Sequence, residues 1–181
     1  MKSNWLFFPA VTFVLVTKVA LGGQMSPYSG QESREIKALS KEEVDGYLSG
    51  DGMGFAKAGE LNHYPGPKHV LDLAEQLNLS DVQRTTTQSI FDRMKSNAVS
   101  LGKQLVEREQ LLDSGFADGT ISNDELERLL TEISALQGKI RAVHLEAHLA
   151  EKRLLTPDQI SRYDRLRGYH QPSDHDQHSG H

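Results

Sequence analysis

The chain has 181 residues, a formal net charge of -5 and no cysteine. That length suits one small domain. The absence of thiols excludes disulfides, lipoprotein-type acylation and thiolate metal sites, and the mild acidity gives no support for nucleic-acid binding.

Lys2, an apolar run from Trp5 to Val16 and small residues around Ala20 and Gly22 read as an export signal over residues 1–23. The alternative is an uncleaved membrane anchor, but about a dozen apolar residues are short for a span of roughly 20. Residues 24–39, polar with Pro27 and Gly30, read as a flexible linker. A helical domain is expected over 40–169. Ser40 with Glu43 is a capping box opening a short helix over 41–49, which the glycines at 50, 52 and 54 then break. Residues 55–61 allow one more turn, 62–67 (Asn-His-Tyr-Pro-Gly-Pro) form a strong turn signal, and 68–77 read as helix.

The largest feature is a pair of long helices, predicted over about 81–115 and 123–154 and folded back at Asp118-Gly119. On the first, Phe91, Met94, Ala98, Leu101, Leu105 and Leu112 recur at three- and four-residue steps, broken only by Arg108. On the second, the row is Leu126, Leu129, Ile133, Leu136, Ile140, Val143, Ala147, Ala150 and Leu154. Such a seam predicts coiled-coil-like antiparallel packing. Two helices alone bury too little to offset their ordering entropy, so further surface must be covered by the short helices, a second copy, or both. Val99, Val106, Leu145 and Leu149 are apolar and off the seam, and Gly102 and Gly138 read either as places where another helix can approach closely or as tolerated mid-helix glycines.

Each outer end of the hairpin carries the same signature. Leu79-Ser80 is followed by Gln83, and Leu155-Thr156 by Gln159. In both, the hydroxyl caps a helix start, the glutamine reaches back to the cap, and the leucine supplies a hydrophobic staple. An antiparallel hairpin brings these two motifs side by side.

Several constellations bear on chemistry. Asp118-Gly119 with Glu125 mimics the second half of a calcium loop, but Ser114 and Phe116 stand where the first carboxylates belong, so a plain helix–helix turn is the better reading. His144 and His148 share one helix face and can present two imidazoles to one metal ion. Lying beside the seam, they are expected to be partly exposed, with Glu146 or Glu151 in reach and His63 and His69 able to fold back to the same end. Residues 170–181 have a disordered, His-rich composition, and His175, His178 and His181 suit loose binding of Zn, Cu, Ni or Co. No nucleophile elbow, phosphate loop or H-E-x-x-H appears, so the chain does not read as an enzyme.

The paired motifs around a long hairpin, on Leu79, Ser80, Gln83, Leu155, Thr156 and Gln159, resemble the Spy/CpxP group of periplasmic proteins with L-[ST]-x-x-Q motifs. That group is related to periplasmic heavy-metal sensors of the ZraP and CnrX type. His144-Leu-Glu-Ala-His148, followed by the second motif, is similar to the sensor members. The resemblance implies an all-α hairpin forming a cradle-like homodimer in the periplasm. It also implies a non-enzymatic, ATP-independent chaperone or adaptor that needs no cofactor. Its partners would be unfolded or envelope proteins, or a membrane-bound stress sensor. In that reading Val99, Val106, Leu145 and Leu149 offer apolar patches and Arg162 and Arg165 engage acidic groups. The alternative is a heavy-metal sensor or buffer using the helix and tail histidines.

Overall fold

The computed structural model describes residues 25–169. Within that range it is all-helical, with no strand: α1 (Lys41–Ser49), α2 (Lys57–Glu60), α3 (Pro67–Asp72), α4 (Asp81–Ala117), α5 (Asn123–Leu154) and α6 (Pro157–Leu166). Residues 25–32 belong to a separate short unit of consecutive turns. From Ser33 onward the described chain packs as a second unit.

α4 and α5 hold 37 and 32 residues, about 55 and 48 Å at 1.5 Å per residue. They pack against each other as the antiparallel hairpin that the apolar rows predict. The connection is a turn. Gly119 takes φ 66°, the Gly115 carbonyl accepts from Thr120 and Ile121 N–H, and Ser122 Oγ accepts from Glu125 N–H to start α5.

At the other end the two signature motifs meet. Ser80 and Thr156 each complete a capping box with Gln83 and Gln159. The two glutamines then pair reciprocally, Gln83 Nε2 donating to Gln159 Oε1 at 2.9 Å and Gln159 Nε2 to Gln83 Oε1 at 3.1 Å. Their second amide hydrogens go to the carbonyls of Leu154 and Leu77, and each Oε1 also accepts from its own cap N–H. Both amides are therefore fully used, which a carboxylate in either place cannot reproduce because it has no hydrogen to donate. Leu79 and Leu155, both buried, close a cluster with Val70, Ala74, Leu77 and Tyr163 beneath this knot.

The buried row does not keep the strict heptad. On α5 it runs Leu129, Ile133, Leu136, Ile140, His144, Ala147, His148 and Glu151, so beyond Ile140 it leaves Val143, Ala150 and Leu154 only half-buried. On α4 it runs Thr87, Ile90, Ala98, Gly102, Leu105 and Glu109. A straight helix drifts about 20° per heptad against a 3.5-residue repeat, and α1 to α3 cover a second face of the hairpin. The combined drift and extra cover carry polar residues inside.

α1 lies against α4 at Gly102, where an added Cβ would sit 2.1 Å from the Tyr47 carbonyl oxygen. The close approach foreseen at the mid-helix glycines therefore holds for Gly102. Gly138 faces open space. The linker expected over 24–39 is shorter than its composition suggests. Ile36 and Leu39 are buried with Tyr47, Leu105, Ile133, Leu136 and Ile140, and the Lys37 backbone N–H and ammonium both bond Asp113, at 3.0 and 3.2 Å. Two apolar side chains in a polar stretch suffice to dock it.

None of the helices among the described residues is long and apolar enough to cross a membrane. The expected export signal over 1–23 and the histidine tail over 170–181 lie outside the described residues.

Candidate functional site

The segment from Gly50 to His69 folds across α4 and α5 and roofs a cavity of about 420 Å³, a size typical of small-molecule sites. Local backbone rules explain the roof. Gly50 ends α1 in the left-handed region at φ 69°, and an added Cβ would fall 2.9 Å from Val99 Cγ2. Met53 at φ 41° and Gly54 at φ 80° reverse the chain again and deliver Phe55 inward. Its ring stacks on His144, centroids 6.0 Å apart and planes within 13°, and also meets Tyr47. α2 then presents Glu60. The turn over 62–67 crosses α5, held by the Lys152 ammonium 3.8 Å above the Tyr64 ring.

His144 and His148, one turn apart on α5, both line this cavity. They are buried, with 2% and 8% of their surfaces exposed. The partial exposure expected from their position beside the seam is thus corrected. The drifting row turns them inward and the Gly50–His69 segment covers what remains. Burial, then the neighbouring His148, lowers the pKa of His144, with Asp51 opposing. The charged form is disfavoured and a neutral imidazole with a free lone pair is favoured. His144 Nε2 is buried without a hydrogen-bond partner. His148 is oriented differently. Its Nδ1 lies 2.7 Å from the Tyr64 carbonyl oxygen, which can only accept, so Nδ1 carries the hydrogen. In the neutral ring that leaves Nε2 as the lone-pair donor. Gly66 is packed against this edge: a Cβ there would lie 2.9 Å from His148 Cε1 and 3.0 Å from Nε2.

Glu60 joins the cavity to the C-terminal part of the unit. Its Oε1 accepts from Tyr163 OH at 2.6 Å and Tyr169 OH at 2.9 Å and pairs with Arg167 Nε at 3.4 Å. Its Oε2 is buried with no hydrogen-bond donor, 3.7 Å from His148 Nδ1. Burial and this carboxylate push the Tyr163 hydroxyl well above its ordinary pKa, so it remains a donor.

The remaining site residues read from the sequence are dispersed. His69 lines the same cavity, its pKa lowered by burial and by Arg167. His63 does not line it. Its ring is largely exposed and its Nδ1 pairs with Asp164 Oδ2 at 2.8 Å. His175, His178 and His181 lie outside the described residues. Glu146 is exposed, whereas Glu151 is fully buried in the α4–α5 interface, accepting from Thr87 Oγ1 at 2.8 Å. Burial pushes the Glu151 pKa up to about 7. Of the four apolar patch residues, Val99 is half-buried beneath Gly50, Val106 packs on the core cluster, and Leu145 is half-buried against Gly59. Only Leu149, at 45% exposure, faces solvent, together with Arg162 and Arg165. An apolar binding face made of all four is therefore corrected to Leu149 alone, because α1 and α2 occupy the rest.

Among the described residues no three His, Asp or Glu side chains converge as a ready-made metal cage. His144, His148 and Glu60 line the cavity together with Met53 and Met94, but His144 Nε2 and Glu60 Oε2 are buried beneath its surface. Imidazole donors suit Zn, Cu, Ni and Co, so the donor types fit such an ion as partial rather than complete ligation. Glu60 and the roof were not legible beforehand. The sequence signal was the turn at 62–67, whose flanking His63 and His69 were expected to fold back to this end; of the two only His69 lines the cavity. Comparison with protein-family models, curated proteins and solved structures finds no match.

Proposed function

We propose that the chain is a metal-responsive periplasmic protein, akin to the heavy-metal-sensing relatives of the Spy/CpxP group, with its site at His144 and His148. One observation carries the reading. His144 Nε2 is buried and unpartnered on the same cavity as His148 and the unpartnered Glu60 Oε2. A buried polar atom without a partner costs about 1–3 kcal/mol, and a bound cation relieves that cost. The Tyr64 carbonyl on His148 Nδ1 is the kind of outer partner that orients a ligating imidazole. When bound, the metal supplies a positive charge that competes for Glu60. Because Glu60 also holds Tyr163, Tyr169 and Arg167, that competition reaches α6 and the residues after it.

The test is calorimetric titration with Zn, Cu, Ni and Co. The protein is the full chain with His170, His175, His178 and His181 changed to Gln, which removes tail binding. One ion per chain is expected, with affinity falling at least about tenfold in H144Q or H148Q, in line with loss of a ligand. No binding, or binding indifferent to both substitutions, refutes the proposal.

A second reading, a partner-binding adaptor, draws support from the turn end of the hairpin, where Leu111, Phe116 and Leu130 are 50%, 59% and 46% exposed. Suppression of client aggregation, measured by light scattering, checks it; no suppression at one client per chain removes it.

A further inference from the structure

The roofed cavity carries a charge opposite to that of the chain. The sequence has a net charge of -5, yet the lining holds Lys57, Lys68, Lys95 and Arg167 against Asp51 and Glu60. Arg167 and Glu60 are paired with each other. Among the described residues Lys57, Lys68, Lys95 and Asp51 make no salt bridge. Lysines therefore outnumber the one carboxylate left to oppose them. A cleft lined by one sign of charge, with low-dielectric walls, concentrates ions of the other sign.

Between these cations the lining is apolar. Phe91 and Met94 come from α4, and Met53 comes from the roof. The Lys95 ammonium lies 5.9 Å from the centre of the Phe91 ring, so a charge and an aromatic surface stand side by side. Methionine side chains adapt to flat rings and make favourable sulfur–aromatic contacts. Gly50, Gly52 and Gly54 add no side chains to the roof, which leaves the space between the two faces open.

We infer that the cavity binds a small aromatic carboxylate, its ring among Phe91, Met94 and Met53 and its carboxylate meeting Lys95 and Lys68. The volume of about 420 Å³ is ample for a fused-ring acid. A purely hydrophilic anion leaves the methionine and phenylalanine surface wet, and an uncharged aromatic gains nothing from the lysines. The ligand needs neither His144 Nε2 nor Glu60 Oε2, which are buried beneath the cavity surface, so its binding is independent of any metal.

Fluorescence titration of the metal-free full chain with 2-naphthoate tests this. The comparators, measured by competition, are 2-naphthylmethanol, which keeps the ring without the charge, and acetate, which keeps the charge without the ring. One naphthoate per chain is expected, bound at least about tenfold more tightly than either comparator. Its affinity should fall as salt rises, because the lysines are exposed to solvent. Lys68→Gln combined with Lys95→Gln changes only exposed side chains, so the fold is retained. It should weaken naphthoate by about tenfold, the scale of two unit charges acting across water. Lys103→Gln combined with Lys139→Gln removes the same charge from exposed positions outside the cavity and should leave the affinity unchanged. Naphthylmethanol or acetate binding as tightly as naphthoate overturns the inference, because the cavity then reads only a ring or only a charge. Equal loss in the two lysine pairs shows attraction by net charge alone and overturns it. Absence of saturable naphthoate binding also overturns it, while leaving the proposed metal site untouched.

Discussion

Gly102 and Gly138 each sit inside one of the two long helices, yet the structure assigns them opposite responses to alanine. In either helix interior Ala is favoured over Gly by about 1 kcal/mol. At Gly138 nothing lies within 4 Å of the new Cβ, so G138A should stabilise the fold by about 0.5–1 kcal/mol. At Gly102 the Cβ would lie 2.1 Å from Tyr47 O, 2.8 Å from its carbonyl carbon and 3.2 Å from its Cα. Backbone cannot rotate aside as a side chain can, so α1 must retreat by about 1 Å. A gap of that size forfeits a quarter to a half of the dispersion attraction at each contact. Tyr47, buried with Leu105 and Ile36, loses that packing. With overpacking costs of about 1–3 kcal/mol set against the propensity gain, G102A should be destabilised by about 1–2 kcal/mol. Urea unfolding followed by helical circular dichroism measures both variants. With a slope of about 1–3 kcal/mol per molar urea, the G102A midpoint should fall by roughly 0.5–1 M while that of G138A rises. Since α1 leads into the roof that stacks Phe55 on His144, G102A should also weaken metal binding. Equal midpoints for the two variants would refute the packing of α1 on α4.

Gln83→Glu removes the hydrogen donated to Gln159 and to the Leu154 carbonyl, so thermal unfolding should show a loss of about 1–3 kcal/mol, with Q83E/Q159E worse through like-charge repulsion. Glu151, with a folded pKa of about 7 against an unfolded 4.5, holds its proton more tightly when folded. Its contribution to stability is fully present below pH 4.5 and is lost as pH rises to about 7. E151Q, which keeps an acceptor for Thr87, should therefore be more stable than the parent at pH 8, by on the order of 1–3 kcal/mol, and gain nothing at pH 4; a gain independent of pH would contradict this. Gly66→Ala places a methyl against His148 Nε2 and should abolish nickel binding in calorimetry, while Gly59→Ala, whose Cβ meets His148 and Leu145 at an ordinary 3.5 Å, should not.

The parts of the fold governed by local rules were legible in the sequence. The capping residues Ser40, Ser80 and Thr156 mark the starts of α1, α4 and α6, and the apolar rows place the hairpin and hence the meeting of Gln83 with Gln159. What was not legible depends on long-range packing. A heptad count assigns Val143 and Ala150 to the seam, but near-3.6-residue helices under a second layer bury His144 and Glu151. Ile36 and Leu39 look incidental in a polar stretch until α1 provides them a surface. The candidate site is mixed in the same way. Spacing puts His144 and His148 on one face, yet nothing local says that Glu60 and Gly66, some 80 residues earlier, close over them.

X-ray absorption at the nickel edge tests the central claim most directly. The sample is the full chain with Gln at positions 170, 175, 178 and 181, loaded with one equivalent of nickel. The imidazole scattering of two histidines is expected together with light oxygen donors, falling to one histidine in H144Q. A spectrum without imidazole scattering, or one unchanged by H144Q, would contradict the assignment of the metal to the roofed cavity on α5.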